Sequence, residues 1–475
     1  MKLALVKLPA TYADWYSRPV LGLAYIAAYV KREGIECKIF DAYYSHWNER
    51  VLLRALLEYD ADVVGITAMT HEVTRAAALA AKLKESGRPR IIIGGCHVTA
   101  MPENTLLQFP AFDYGIRGEG EKATVELLRH IGQGTEPASV KGLVYRNAEG
   151  AVLANEPGAF LEKDELDALP FPEFTDYYGD DRKALARGGA TYAMFTSRGC
   201  PYRCVFCMQV LGHKVRRRSP ANIIAEMDYA IDRWGARCFD FADEIFLFDT
   251  SDTRKLLEMF IDRGFPERIS WVGLTRANLV NPELIALAKK AGCRRLAMGV
   301  ESGDDEILKR INKGITISQV REAVRIIKSS GISLSTYYIL GHPGDTPQTV
   351  QKTIDLAVEL NTNSIAVGIM VPYPGTKIYD LALHGEAGYR LLTQDWSSFD
   401  KYGSQAMEIA GLPHDYLTRL QRTAILKLYV KNLRLLDCVR YFWERRKALL
   451  YFAGMRLRRL LGFKHKDEAP AAAKT

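Results

Sequence analysis

Three cysteines fall within one eight-residue segment, Cys200-Pro-Tyr-Arg-Cys204-Val-Phe-Cys207, and nothing else in the chain restricts its chemistry as sharply. A C-x3-C-x2-C loop offers three thiolates, one fewer than structural zinc or a fully protein-held iron–sulfur cluster takes. Two completions stay open on the residues alone. A [4Fe-4S] cluster held by Cys200, Cys204 and Cys207 keeps one iron open to an outside ligand, whereas His213 would complete a Cys3His zinc site. A redox pair or buried structural thiols are the blander readings. The remaining cysteines, Cys37, Cys96, Cys238, Cys293 and Cys438, show no pairwise spacing. No disulfide framework is expected, and a labile cluster argues for a reducing compartment.

The loop must be carried by regular elements, and the pattern around it supplies them. Apolar strand-like runs at 193–197, 238–242, 269–274, 296–300, 333–340 and 364–370 alternate with helical stretches. Six βα units are too few to close an eight-stranded barrel, so an open (β/α)6 partial TIM barrel is expected, with chemistry at the carboxyl ends of its strands. The unusual residues fall at those ends. Asp243-Glu244 follows the second run and suits an ammonium group through charge-assisted hydrogen bonds, although solvated carboxylates would look the same. Arg276 ends the third run, available for a carboxylate or for a structural ion pair. Glu301-Ser302 ends the fourth. Gly341-His-Pro-Gly-Asp345 and Pro372-Tyr-Pro-Gly375 follow the fifth and sixth as turns that shape a pocket.

Ahead of this lies a second α/β region. Runs at 3–8, 37–40, 63–67 and 90–93 read as strands, and 21–32, 49–58 and 73–85 as helices. Strands this apolar imply a doubly wound, Rossmann-like parallel sheet covered on both faces, with ligands bound beyond the strands' carboxyl ends. The post-strand segments Gly65-Ile-Thr67-Ala-Met-Thr70 and Gly94-Gly95-Cys96-His97 are the candidates there. Glycines permit close approach to the backbone, and small hydroxyls give hydrogen bonds without blocking it.

The cluster loop, with Phe206 just before its last cysteine, resembles that of radical S-adenosylmethionine (SAM) enzymes. The acidic pair followed by Ile245-Phe246, and Gly299-Val-Glu301-Ser302-Gly303 with Leu308-Lys-Arg-Ile-Asn-Lys-Gly314, extend the resemblance. It implies Cys200, Cys204 and Cys207 on the cluster, Phe206 near the adenine, and Asp243, Glu244, Arg276, Glu301 and Ser302 around SAM. The post-strand segments, with Arg117-Gly-Glu119-Gly-Glu121, resemble the cobalamin-binding domain that precedes the radical SAM domain in one large subfamily. Thr67, Thr70, Gly94, Gly95, His97 and Glu119 are then implied as cobalamin contacts. Two departures stand out. Cys96 replaces the family's usual proline, and the loop 9–19 has no histidine, so cobalt is expected to lack a protein histidine beneath it. His46, His71 and His97 read as loop or pocket residues rather than cobalt ligands.

The resemblance covers roughly residues 3–379. It divides the chain into a cobalamin-binding domain (1–140), a connector with a hairpin (141–187), a radical SAM core (188–385) and a helical C-terminal region with a basic amphipathic tail (386–475). It implies a [4Fe-4S] cluster, SAM and cobalamin as cofactors, and methyl transfer to an unactivated carbon or phosphorus centre as the leading reaction. A radical cyclase or ring-rearranging enzyme of the magnesium-protoporphyrin ester cyclase type is the alternative. A tRNA methylthiotransferase would carry three further cysteines in the first domain, where only Cys37 and Cys96 occur. A non-catalytic cobalamin or iron–sulfur protein would not need the acidic and Glu-Ser pairs.

The 475 residues are 48% hydrophobic and 25% charged, ordinary globular material. The net charge of +8 is local: residues 440–466 carry nine Lys or Arg against one Glu, leaving the rest neutral. A nucleic-acid surface is therefore not expected. Peripheral contact with an anionic membrane through this segment is, where Leu449, Ala453, Leu457 and Leu460 recur at helical spacing. The N-terminus does not read as a signal peptide and no apolar run is long enough to span a bilayer, so the expected location is cytoplasmic, membrane-peripheral at most. The expected partners are a small-molecule or lipid-type substrate and a reductant such as flavodoxin or ferredoxin.

Overall fold

The computed structural model describes residues 1–10, 18–85, 87–188, 190–400, 404–444 and 446. Seven strands form the first sheet: β1 (Lys2–Lys7), β2 (Glu36–Asp41), β3 (Val63–Thr67), β4 (Arg90–Gly94), β5 (Tyr114–Ile116), β6 (Leu143–Arg146) and β7 (Val152–Ala154), in the order β2-β1-β3-β4-β5-β6-β7. The first five run parallel. Leu3 to Val6, Val63, Val64 and Ile91 to Ile93 are buried without alternation, as strands covered on both faces must be. The strand order reverses between β1 and β3, and the crevice outside their carboxyl ends is the natural ligand position. The hairpin expected in the connector forms, but its strands pair antiparallel with β5 and with each other. The first sheet thereby extends to Ala154.

A second sheet holds β8 (Tyr192–Met194), β11 (Cys238–Phe241), β12 (Ser270–Thr275), β13 (Cys293–Glu301), β14 (Ser333–Leu340) and β15 (Ser364–Ile369), all parallel and in chain order. β8 and β15 are its two edges, so the barrel stays open. Between β8 and β11, the two-residue strands β9 (Ser197–Arg198) and β10 (Arg216–Arg217) pair antiparallel and clamp the two ends of the cysteine loop. Ser219, Thr250, Asn281, Thr316, Thr346 and Thr376 each accept a backbone N–H at the start of a following helix, the polar cap that fixes where a helix begins.

The C-terminal region is not wholly helical, as its sequence suggested. β16 (Tyr389–Leu391) and β17 (Met407–Ile409) form an antiparallel pair ahead of the helices His414–Lys431 and Leu435–Glu444. Three-residue strands are too short for a period-2 signal to register. Trp396 and Phe399, from the link between them, are buried against the core of the first sheet.

Candidate functional site

The cysteine loop is held by its backbone. Cys200 N donates to Gly212 O at 3.1 Å, Val205 N to Ile311 O at 3.1 Å and Cys207 N to Cys204 O at 3.1 Å, and Asn312 Nδ2 donates to Arg203 O at 2.9 Å. Gly199 enters the loop with φ 94°, and a Cβ there would collide with the Lys214 carbonyl, so only glycine fits. Burial, then the neighbouring Cys204 and Cys200, push the Cys207 thiol up to about 11; burial likewise raises Cys200. Three thiols that repel one another as thiolates are relieved by a cationic centre. Among the described residues no three His, Cys, Asp or Glu side chains gather closely enough to hold a single metal ion. Cluster thiolates each bind their own iron and need not converge on one point.

Beside the loop lie two buried charged atoms with no partner, Glu244 Oε2 and Arg276 Nη2. Burial, then the Asp243 charge beside it, raises the Glu244 carboxyl, opposed by its own backbone. Arg276 is otherwise well placed: Nη1 lies 3.9 Å from Cys204 Sγ, Nε donates to Asn278 Oδ1 at 2.9 Å, and the guanidinium stacks 3.6 Å over the Tyr202 ring. Buried polar atoms cost free energy unless paired. An unpartnered carboxylate oxygen and an unpartnered guanidinium nitrogen next to the same thiols fit the ammonium and carboxylate of an amino-acid moiety such as that of SAM.

Asp243, the other member of the expected acidic pair, is already engaged by the protein. Its oxygens accept from Thr196 N at 2.7 Å, Thr196 Oγ1 at 2.5 Å and Ser197 Oγ at 2.6 Å. A fully buried carboxylate is spent on the turn from β8 into β9. The Glu-Ser pair divides similarly. Glu301, at a register shift at the end of β13, has φ 72°, a conformation that costs a non-glycine residue roughly 1–3 kcal/mol and clusters at functional sites; its carboxylate pairs with Lys313 Nζ at 2.8 Å, both buried. The Ser302 hydroxyl accepts from Asp304 N at 3.2 Å and lies 3.4 Å from Thr353 Oγ1, which holds the bend after β13.

Phe206 lies with its ring centroid 5.6 Å from that of His342 and 6.0 Å from Lys313 Nζ. His342 is fully buried, and burial, opposed by the Glu301 backbone, holds its pKa down to about 3. The sequence singled out neither Lys313 nor His342 as site residues. Lys313 lies inside a segment read only as a family signature, and His342 inside one read only as a turn.

In the first domain the loops after β3 and β4 meet at the crevice. Gly95, at φ 101°, would set a Cβ 2.7 Å from Ala68 O and 3.0 Å from Thr67 Oγ1; the close approach it permits is between these two loops. Gly94 leaves space, its nearest neighbour being Ile66 O at 4.0 Å. The Thr70 hydroxyl is buried and unpartnered, an open hydrogen-bonding position. His97 is buried with its ring 4.9 Å from Trp396, faced by the C-terminal region. Residues 11–17 of the histidine-free loop lie outside the described residues.

Glu119, expected as a cobalamin contact, is held by protein partners. It accepts from Arg216 Nη1 at 2.9 Å, Arg198 Nη1 at 3.1 Å and Leu161 N at 2.7 Å, inside the junction between the two sheets. Two guanidiniums from the barrel side take it up, because buried charges need opposite partners. Those partners stand 79 and 97 residues away in sequence, beyond the reach of any local pattern.

Residues 194–357 match the radical SAM superfamily and residues 16–128 the B12 binding domain. The chain is 31% identical over 418 residues to an uncharacterized methyltransferase of Pyrococcus horikoshii, covering 87% of this chain and 88% of that protein. It is 26% identical over 369 residues to the anaerobic magnesium-protoporphyrin IX monomethyl ester cyclase of Rubrivivax gelatinosus, covering 76% of this chain and 66% of the cyclase. Among solved structures, the radical SAM methyltransferase TsrM from Kitasatospora setae, with cobalamin and a [4Fe-4S] cluster bound, aligns over 90% of this chain and 88% of its own at 18% identity with a TM-score of 0.69, a likeness of fold.

Proposed function

From the chain's place in the cobalamin-binding radical SAM family, to which it belongs, we propose that it methylates an unactivated carbon or phosphorus centre of a small-molecule or lipid-type substrate. It is an enzyme whose cofactors are a [4Fe-4S] cluster, SAM and cobalamin. When bound, these supply reductive cleavage of the SAM sulfonium to a carbon radical and a carrier for the methyl group. The chain's own residues bind, orient and exclude water. Cys200, Cys204 and Cys207 hold the cluster; Glu244 and Arg276 clamp the amino-acid end of SAM; Phe206 and the Glu301–Lys313 pair line the adenosyl side. Thr67, Thr70, Gly94 and Gly95 take the cobalamin tail at the β1/β3 crevice. Asp243 and Ser302 keep the loops in register without touching a ligand.

The observation that carries the SAM site is the opposite-charge pair of orphaned atoms, Glu244 Oε2 and Arg276 Nη2, beside the thiols. Methyl transfer is favoured over cyclisation because the methyltransferase is both more similar to the chain and covered along more of its length than the cyclase. The same proposal divides the labour at residues 140, 187 and 385, draws electrons from a flavodoxin- or ferredoxin-type reductant, engages no nucleic acid, and places the protein in the cytoplasm with its C-terminal end at a membrane surface. No described helix is long and apolar enough to cross a membrane. Anaerobically reconstituted protein is expected to form 5′-deoxyadenosine from SAM, and the triple variant Cys200→Ala, Cys204→Ala, Cys207→Ala to form none. A substrate product heavier by one methyl group supports transfer; an isomer or loss of hydrogen gives the site to cyclisation.

A further inference from the structure

Among the described residues, the helix Leu435–Glu444 is fastened to the barrel and to the preceding helix along one side. Arg434, at its start, donates to Thr362 O at 2.7 Å and Asn363 O at 3.1 Å on the barrel, and the Tyr441 ring lies 5.9 Å from Tyr429 of the preceding helix. Its other side is apolar and outward. Leu435, Leu436, Val439, Phe442 and Trp443 are all exposed, Leu436 at 87% and Trp443 at 66%. They follow the i, i+1, i+4, i+7, i+8 spacing that gathers side chains into one stripe. A contiguous exposed stripe of large apolar side chains marks an interaction surface.

Charge selects what meets it. Arg440 and Arg446 are exposed beside the stripe, the Arg446 guanidinium stacks 4.6 Å over the Trp443 ring, and residues 440–466 hold nine Lys or Arg against one Glu. A twofold contact would set the patch against itself, bringing two such basic segments together, so a second copy is the poorer occupant. An apolar stripe with a tryptophan and a basic flank matches an anionic bilayer, where the apolar side chains enter the headgroup boundary and the cations stay with the lipid phosphates.

We infer that the stripe Leu435, Leu436, Val439, Phe442 and Trp443 is the surface by which the enzyme docks on an anionic membrane. This rests on the membrane contact proposed above and gives it an address on the fold. The test is co-sedimentation of the full-length holoenzyme with vesicles of phosphatidylcholine alone or with added phosphatidylglycerol, with SAM cleavage measured in the same samples. Binding is expected only with phosphatidylglycerol, to weaken as salt is raised, and to fall at least tenfold in the double variant Leu436→Asp, Trp443→Asp while 5′-deoxyadenosine formation is unchanged. Absence of vesicle binding, or equal binding by the variant, overturns the inference while leaving the radical SAM reading intact. So does a dimer in light scattering that the variant dissolves, which would give the stripe to a second copy.

Discussion

Arg198, two residues ahead of the first cluster cysteine, donates to Glu121 of the cobalamin-domain loop at 2.6 Å, with both side chains 5% exposed. Glu119 extends the link to Arg216 on the far end of the cysteine loop. Both strands that clamp the cluster loop are thus bolted to the first sheet by buried charges. Such a network adds little net stability, because desolvation offsets its attraction, but breaking it strands an unpaired guanidinium at a cost of about 3–5 kcal/mol. Glu119→Gln is therefore expected to lower the unfolding midpoint in denaturant markedly while cobalamin, once loaded, is retained as in the parent. Loss of cobalamin without loss of stability would return Glu119 to the cofactor pocket.

Glu244 and Asp243 are adjacent acids with different work. Glu244→Gln removes an anion from an orphaned position, so SAM affinity is expected to drop about 10- to 100-fold, the equivalent of a charge-assisted hydrogen bond, with cluster content unchanged. Asp243→Ala withdraws the acceptor of three hydrogen bonds and is expected to cost stability by about 1–3 kcal/mol and to impair cluster loading. Calorimetric SAM titration and iron counts on the two variants check this; the reverse pattern would exchange their roles.

The parts legible in the sequence were those with a short-range signature. The six runs gave the six parallel strands because each carries a short cluster of buried apolar residues between helical stretches, and the C-x3-C-x2-C spacing gave the cluster loop because its ligands are local. Side-chain direction was not legible. Asp243 and Glu244 look alike on paper, and only the position of Thr196 and Ser197 in space decides which one is consumed. Ser302 needed the helix bearing Thr353, and Glu119 needed Arg216; each partner arrives through tertiary packing. The β6–β7 hairpin was legible as a hairpin, but not as an extension of the first sheet, because its pairing with β5 is decided outside the hairpin.

His97 gives a pH dependence with a definite sign. Burial lowers its pKa to about 4, while the unfolded chain protonates near 6.5. A group with a depressed cationic form contributes stability that is full above pH 6.5 and is lost as pH falls toward 4, by about 3 kcal/mol in all. Replacing it with a neutral residue of similar volume removes that slope. His97→Leu is expected to unfold with a shallower loss of stability between pH 6.5 and 4.5 than the parent, both measured free of cobalamin by denaturant titration. Parallel pH curves would mean that the ring is protonated in place.

The cobalt ligand tests the first domain directly. His46 is exposed on a turn, His97 packs on Trp396, and His130 bonds Thr135 and Ser139 through its two ring nitrogens. His71 sits at the end of β3's loop, in the turn Thr70–Glu72. Residues 11–17 include no histidine. Electron paramagnetic resonance of the cobalt(II) holoenzyme is therefore expected to show no nitrogen superhyperfine splitting from an axial ligand. Splitting that persists in the parent and vanishes in His71→Ala would identify His71 as the ligand and overturn the expectation. Failure to retain any cobalamin, with the fold intact, would remove the cofactor from this crevice altogether.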